Sequence, residues 1–190
     1  MIKGYFGTPG VGKTTTLVKI ARKEQRRIIK RYKNIYTVNV DIKGCTRITK
    51  EDFEKYKFEN ALILWDEITL DYDNRDFKNF SKKAKESWLL HRHMGLDIIY
   101  VTQNFENVDK KIRDITDTVY LVERSRIPFH SVVKKIYHNF SFANRQITDT
   151  YDIAPRLEWQ YINLRKYFKY YFAFFGMRRA SYWQLPEKPL

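Results

Sequence analysis

Short apolar runs alternate with segments of helical periodicity along the first 124 residues. Five runs rich in β-branched and aromatic residues predict strands: IKGYF (2–6), NIYTVNV (34–40), ALILWDE (61–67), LDIIYVTQN (96–104) and DTVYLVER (117–124). ALILWDE is nearly all apolar, which is typical of a strand covered on both faces. Strands that alternate with helices of these lengths predict an α/β fold with a mainly parallel sheet flanked by helices.

The spacing of apolar residues predicts two helices between these strands. The first begins near Lys13 and places Leu17, Ile20 and Ala21 on one face. The second spans 76–95, with Gly95 as its expected end. Five of its residues recur at helical spacing: Phe77, Phe80, Ala84, Trp88 and His91.

After Arg124 the pattern changes, but nothing marks a domain boundary. SVVKKIYHNFSF (131–142) predicts a strand or hairpin, and PRLEWQYINLRKYFKYYFAFFG (155–176) predicts a helix or an aromatic-rich tail. We therefore expect one domain over 1–190, with a core of about 1–125 and a C-terminal appendage over 126–190. The segment YFKYYFAFF (167–175) is consistent with a stacking platform for bases or a membrane-surface contact; we favour core or a subunit interface.

Composition indicates a globular protein, with 43% apolar and 16% aromatic residues. The single cysteine, Cys45, excludes an intramolecular disulfide and fits a reducing compartment or a virion interior. The first residues run directly into a glycine-rich loop, so we expect no secretory signal. No run of about 18 apolar residues is present, so we expect no membrane-spanning segment.

The charge is strongly basic, with 36 Lys and Arg against 22 Asp and Glu, a net charge of +14. The segment Lys19–Lys33 holds eight basic residues and one acidic residue. This surplus favours a polyanionic partner, either nucleic acid or an anionic membrane surface. The segment itself is equally consistent with a DNA-contacting surface and with a solvated helix face.

The segment GTPGVGKT fits the phosphate-loop pattern G-x-x-x-x-G-K-[ST]. The glycines let successive backbone N–H groups point at phosphates, Lys13 reaches the β- and γ-phosphates, and the Thr14 hydroxyl ligates Mg²⁺. The pattern predicts a P-loop NTPase that binds ATP. The ATP-binding residues are predicted to be Gly7, Thr8, Pro9, Gly10, Val11, Gly12, Lys13, Thr14 and Thr15.

Two later strands end in candidate catalytic residues. Asp66 ends a hydrophobic strand, where its carboxylate can hold Mg²⁺, and Glu67 beside it can orient and activate the attacking water. Gln103 follows another apolar strand, where a neutral amide can sense the γ-phosphate without adding charge. A kinase has no need of Glu67, because its acceptor is a bound hydroxyl.

These residues together resemble the zonula occludens toxin-like (Zot) domain, the assembly ATPase of filamentous phages, within the FtsK–HerA group of DNA-pumping ATPases. The resemblance covers about 1–124 and is most specific in HRHMGLDIIYVTQNFENVDKKIRD (91–114). It implies a Mg²⁺-dependent ATPase that assembles as a ring, commonly a hexamer, and drives DNA translocation in virion assembly or packaging. Lys13 and Thr14 would then contact nucleotide and Mg²⁺, Asp66 and Glu67 would form the Walker B pair, and Gln103 would be the sensor.

Ring ATPases of this kind often complete the site with an arginine from the neighbouring subunit. Arg92 is our first candidate, and Arg113 and Arg124 are the second. Each of them is also consistent with an ordinary partner, either a surface carboxylate or DNA.

Phage-extruding members usually continue into a membrane-spanning helix, and this sequence ends at Leu190 without one. A truncated or naturally short form, docking on the membrane through another protein or through the aromatic tail, and packaging into a preformed capsid all remain open. We expect a location in the host cytoplasm or virion, or peripheral at the inner membrane, with viral coat, capsid or membrane assembly proteins as partners. Single- and double-stranded DNA stay open as substrates.

Two other classes of function fit the phosphate loop. A nucleotide-switched adaptor at a membrane or capsid would keep its function without Glu67. A small-molecule or nucleotide kinase would need an arginine-rich lid and an acceptor pocket, and the sequence shows no clear lid.

Overall fold

The computed structural model describes residues 1–75, 82–143, 146–167 and 170. In this part of the chain nine strands form one sheet, in the order β3-β2-β4-β5-β1-β6-β7-β8, and β9 pairs with β7. The strands are β1 (Ile2–Phe6), β2 (Asn34–Val38), β3 (Thr46–Arg47), β4 (Ala61–Trp65), β5 (Asp97–Thr102), β6 (Thr118–Arg124), β7 (His130–Ala143), β8 (Gln146–Ile153) and β9 (Gln160–Asn163). The helices are α1 (Lys13–Gln25), α2 (Lys50–Lys55), α3 (Lys82–Leu89) and α4 (Lys110–Asp114).

The six strands that come first in this sheet order, β3, β2, β4, β5, β1 and β6, are parallel. Strand β7 begins an antiparallel extension of the same sheet. The predicted mainly parallel α/β fold is therefore confirmed. Strand β7 pairs antiparallel with β6, β8 and β9, so residues 131–142 form a single strand, which is one of the two alternatives for this segment.

Central strand β4 shows why the apolar runs form this sheet. All five of its residues are buried. Ile63 and Trp65 face α2, α3 and α4, whereas Leu62 and Leu64 face α1. A parallel strand with helices on both faces has no solvent side, so its sequence is continuously apolar rather than alternating.

The second predicted helix is shorter than its pattern indicates. Residues 76–81, with Phe77 and Phe80, lie outside the described part, and α3 ends at Leu89 instead of Gly95. The Nδ1 atom of His91 lies 2.7 Å from the carbonyl oxygen of Trp88, the group that a continuing helix would use to accept from Arg92. Gly95, with φ of 65°, instead belongs to the turns before β5.

Of the two alternatives for 155–176, a helix or an aromatic-rich tail, the helix is wrong for the first part. Residues 156–158 form a 3-10 turn, and Gln160–Asn163 pairs as β9 with His130–Val133. Long-range pairing to the edge of the sheet therefore overrides the local helical pattern. Residues 168–169 and 171–176 of that segment lie outside the described part of the chain.

Helix α2, which the apolar pattern did not predict, anchors an aromatic cluster. Its first turn is held by a capping box, in which the Thr49 hydroxyl accepts from the Asp52 N–H and the Asp52 carboxylate accepts from the Thr49 N–H. Phe53 is 1% exposed, and its ring packs edge-on against Trp65 and Trp88, with centroids 5.3 and 5.7 Å away.

Replacing Phe53 tests how much this aromatic cluster contributes to the stability of the fold. We expect Phe53→Ala to lower the free energy of unfolding by about 3–5 kcal/mol, because it leaves a cavity between two indole rings. Tyr56→Ala is the control, since Tyr56 lies in the next turn but is 55% exposed. Denaturant titration followed by fluorescence measures both, and equal losses for the two variants would contradict the packing described.

Candidate functional site

The phosphate loop lies between the end of β1 and the start of α1. A Cβ atom at Gly7 would lie 2.1 Å from the carbonyl oxygen of Val122 on β6, so only glycine fits against the neighbouring strand. Gly12 has φ of 94°, a conformation that glycine adopts without steric cost. The backbone of the loop therefore requires glycine at both of these positions.

The C-terminal strands support this loop directly. Ser131 on β7 is 1% exposed, and its hydroxyl donates a hydrogen bond to the carbonyl oxygen of Val11. A Cβ atom at Gly12 would meet Ser131 Oγ at 2.6 Å and a Leu164 methyl carbon at 2.7 Å. The appendage therefore forms one wall of the loop, a role that the sequence pattern did not indicate.

Lys13 is buried and folds back over the loop. Its Nζ donates to the carbonyl oxygens of Gly7, at 2.7 Å, and Thr8, at 2.9 Å. Burial lowers the pKa of Lys13, and the charges of Glu67 and Asp66 act in the opposite direction. The two backbone carbonyl groups thus hold the Lys13 amine at the loop. The carboxylates of Glu67 and Asp66 are near enough to affect its pKa.

The other predicted loop residues divide by exposure. Residues 8–10 (Thr8, Pro9 and Gly10) are exposed, whereas Val11 and Thr15 are buried. The exposed stretch is thus free to meet a ligand, and the buried residues fix the loop to the core.

Thr14 and Asp66 meet at the start of α1 and the end of β4. The Thr14 hydroxyl lies 3.2 and 3.1 Å from the two carboxylate oxygens of Asp66, which is 3% exposed. A hydroxyl and a carboxylate are the hard oxygen ligands that Mg²⁺ prefers. The pair fits the predicted metal position, in which phosphate and water would supply the remaining ligands.

Glu67 follows Asp66 in a conformation that is rare for a residue with a side chain, with φ of 45°. Left-handed backbone costs about 1–2 kcal/mol and tends to persist where it serves a function. In Glu67 this backbone conformation turns the carboxylate toward the end of β5. There Oε1 accepts from Thr69 Oγ1 at 2.7 Å, with longer contacts to Thr102 Oγ1 at 3.5 Å and the Gln103 N–H at 3.4 Å.

Gln103, the predicted sensor, lies beside Glu67 at the end of β5. Its backbone N–H contacts Glu67, and its side chain is exposed. The structure thus brings Lys13, Thr14, Asp66, Glu67 and Gln103 to one edge of the sheet.

The three arginine candidates lie in different places. Arg92 pairs with Asp117, whose other carboxylate oxygen accepts from the N–H of Ile2, at the start of β1. Within one chain, Arg92 is therefore at the sheet edge opposite the loop, and Arg113, on α4, also precedes β6. Arg124 ends β6 beside the loop, with Nη2 3.9 Å from the position of a Cβ atom on Gly10.

The basic segment Lys19–Lys33 begins on α1 and continues through the loop to β2. Helix α1 runs from the phosphate loop to the opposite sheet edge over about 20 Å, given its 13 residues. Residues Arg26, Arg27, Lys30, Arg31 and Lys33 are exposed at that far end. The segment is therefore available to a polyanion without competing for the nucleotide position.

A glycine-rich loop between β1 and α1 of a parallel sheet, with an acidic pair at the end of a neighbouring strand, defines the P-loop NTPase fold. The chain belongs to the zonular occludens toxin (Zot) family, whose model matches residues 1–171. This confirms the family that the sequence motifs indicated. Comparison with curated protein sequences gives no match.

Solved structures share the fold at low sequence identity. The N-terminal domain of zonular occludens toxin from Neisseria meningitidis superposes with a TM-score of 0.55 at 16% identity, over 81% of this chain and 93% of that one. The genome packaging NTPase B204 of Sulfolobus turreted icosahedral virus 2, in complex with sulfate, gives 0.51 at 11% identity, over 81% and 95%. The same NTPase in complex with AMPPCP gives 0.51 at 12% identity, over 81% and 96%.

Across the residues that the structure describes, no helix combines the length and apolar composition needed to span a membrane.

Removing the Ser131 hydroxyl tests the support from the C-terminal strands. We expect Ser131→Ala to weaken ATP-analogue binding about fivefold, because the Val11 carbonyl loses its buried donor at a cost of about 1 kcal/mol. Isothermal titration calorimetry measures the affinity. Thr116→Val is the matched control, since Thr116 Oγ1 donates to the Ile112 carbonyl at 2.8 Å near the far sheet edge. Unchanged affinity in Ser131→Ala, or an equal loss in the control, would refute the role.

Proposed function

We propose that this chain is a Mg²⁺-dependent ATPase motor that translocates viral DNA during virion assembly, extrusion or genome packaging. The position of Glu67 is the observation that supports ATP hydrolysis. Its carboxylate stands at the carboxyl edge of β4, beside the Asp66–Thr14 pair and against the end of the predicted sensor strand. Nucleotide binding alone needs no such second carboxylate.

The loop and its neighbours suit ATP and Mg²⁺. Loop N–H groups and Lys13 would hold the β- and γ-phosphates, and Thr14 with Asp66 would hold Mg²⁺. Bound Mg²⁺ neutralises charge on the phosphates. Asp66 is buried against the Thr14 hydroxyl, which supports this assignment because it holds two hard oxygen groups side by side at the loop.

Glu67 is assigned as the residue that orients the attacking water and accepts its proton. Its Oε1 atom accepts the contacts from Thr69, Thr102 and Gln103, which fix the plane of the carboxylate. We assign Oε2 to the water, because the described contacts of Glu67 all go to Oε1. A base that is held in one orientation acts more effectively than a freely rotating one. Gln103 would report the γ-phosphate through its exposed amide.

An arginine completes the proposed site within a homo-oligomeric ring, with a hexamer as the expected form. Arg92 remains the proposed finger for a neighbouring subunit, and its side chain is 69% exposed and so accessible from outside the chain. Arg124 has a different place, because it borders the loop of its own chain at Gly10. We propose that Arg124 contributes positive charge to the same nucleotide from within the subunit.

The DNA part of the proposal rests on charge and on similarity. The net charge of +14 and the exposed basic end of α1 suit a polyanion. B204, which shares this fold, is a genome packaging NTPase, and the family is that of zonular occludens toxin. We extend this to viral coat, capsid or membrane assembly proteins as partners, in the host cytoplasm or virion or at the inner membrane surface.

Glu67→Gln tests the assignment of the catalytic base. We expect the ATP hydrolysis rate to fall by about 10²–10⁴-fold, because an amide cannot accept the proton of water, while ATP affinity stays within about twofold. Glu106→Gln is the matched control, an exposed glutamate in the turn that follows β5.

Single-turnover hydrolysis and equilibrium binding of ATP separate the two effects of this change. Retained hydrolysis in Glu67→Gln would remove Glu67 as the base and favour a nucleotide-switched adaptor. A joint loss of binding and hydrolysis would show instead that Glu67 holds the loop together.

A further inference from the structure

A cavity lies between α1 and the sheet, on the inner side of the helix. It measures about 270 Å³ and is bordered by side chains of β1, β5, β6, β7 and β9. Its lining contains none of the loop residues from Gly7 to Thr15. It is therefore separate from the nucleotide position, although α1 touches both.

The cavity carries an excess of positive charge. Five basic side chains line it, against the carboxylates of Glu24 and Asp97; they are Lys3, Lys19, Lys23, Arg27 and Arg31. Both carboxylates lie beside cations. Asp97 pairs with the terminal amine of Met1 and with Arg31, and Glu24 Oε2 lies 3.3 Å from Arg27 Nε without a hydrogen bond.

Three lysines of the cavity make no ion pair among the described residues: Lys3 and Lys19, which are partly buried, and Lys23, which is exposed. Burial lowers the pKa of Lys3 and of Lys19, and neighbouring cations lower both further, whereas the Asp97 carboxylate acts in the opposite direction on Lys3. Cations that are withdrawn from water and crowded by like charges are costly in the free protein. A bound anion would relieve that cost, which makes the cavity a site for negative charge.

The floor of the cavity is aromatic and apolar. The rings of Tyr5 and Tyr120 stack with centroids 4.6 Å apart and an interplanar angle of 10°. Ile99, Val133 and Ile162 continue this surface. An apolar floor beneath a cationic rim matches a nucleotide unit, whose base is flat and apolar on its faces and whose phosphate is anionic.

We propose that this cavity binds one nucleotide of single-stranded DNA, with the base against the Tyr5–Tyr120 floor and the phosphate at Lys3, Lys19 and Lys23. The inference rests on the DNA partner of the proposed function and names its form. A base in a duplex is paired and stacked, so it cannot enter a recess under a helix. The exposed basic residues from Arg26 to Lys33 extend from the same rim and would follow the adjoining backbone.

Fluorescence anisotropy with a labelled 15-nucleotide oligothymidine tests the site without ATP, so the result does not depend on hydrolysis. We expect the wild type to bind this strand at least tenfold more tightly than a duplex of equal length. Lys3→Gln/Lys19→Gln should flatten the slope of log affinity against log salt by about 0.7, since both lysines contact the same phosphate and each single-strand phosphate contributes about 0.7. Lys83→Gln/Lys85→Gln is the matched control: these exposed lysines lie on α3, across the sheet.

Each other outcome overturns the proposal in a distinct way. Equal losses in both double variants would mean that only net charge matters, and equal binding of duplex would exclude insertion of a base. Binding of free thymidine monophosphate without binding of the oligonucleotide would make the cavity a small-molecule site. Thermal unfolding and ATP-analogue affinity verify that the variants fold. If the protein failed only to bind or hydrolyse ATP, that result would count against the proposed motor and not against this DNA site.

Discussion

The parallel pairing of β4, β5, β1 and β6 is the constraint on which the rest of this structure depends. Parallel strands all end at the same edge, so residues that are far apart in the chain meet there. Gly7 follows β1, Asp66 and Glu67 follow β4, Gln103 follows β5, and Arg124 ends β6. A shift of one residue in any register would move these groups out of reach, because alternate residues face opposite sides of the sheet.

The antiparallel strands β7 and β9 border both this edge of the sheet and the proposed DNA cavity. On β7, Ser131 bonds the phosphate loop, and Val133, two residues later on the same face, lines the cavity. Leu164, just after β9, contacts Gly12, while Ile162 on β9 lines the cavity. The same two strands therefore touch both sites, which gives a change at the loop a direct packing route to the cavity under α1.

The sequence predicts the parallel core and the strand ends at which the candidate site residues lie, because both depend on local signals. Strand β4 is a continuous apolar run, and the loop glycines are fixed by backbone geometry at their own positions. Strand β9 and the role of Ser131 escape prediction, because each depends on a partner distant in the chain. Helix α2 is too short for a periodic pattern, although the Thr49–Asp52 capping box marks its start. The placement of Arg92 at the far edge follows from its position before β5, because parallel strands also begin at a common edge; its pairing with Asp117, just before β6, keeps it there.

The central claim is that ATP hydrolysis at this edge serves the movement of DNA. Its most direct test is the steady-state ATPase rate of the wild type without DNA, with single-stranded DNA and with duplex DNA, and with Glu67→Gln as the blank. The account predicts stimulation by single-stranded DNA well above that by duplex, with no rate above background in the blank. A rate that is indifferent to both forms of DNA, in folded and assembled protein, would contradict it.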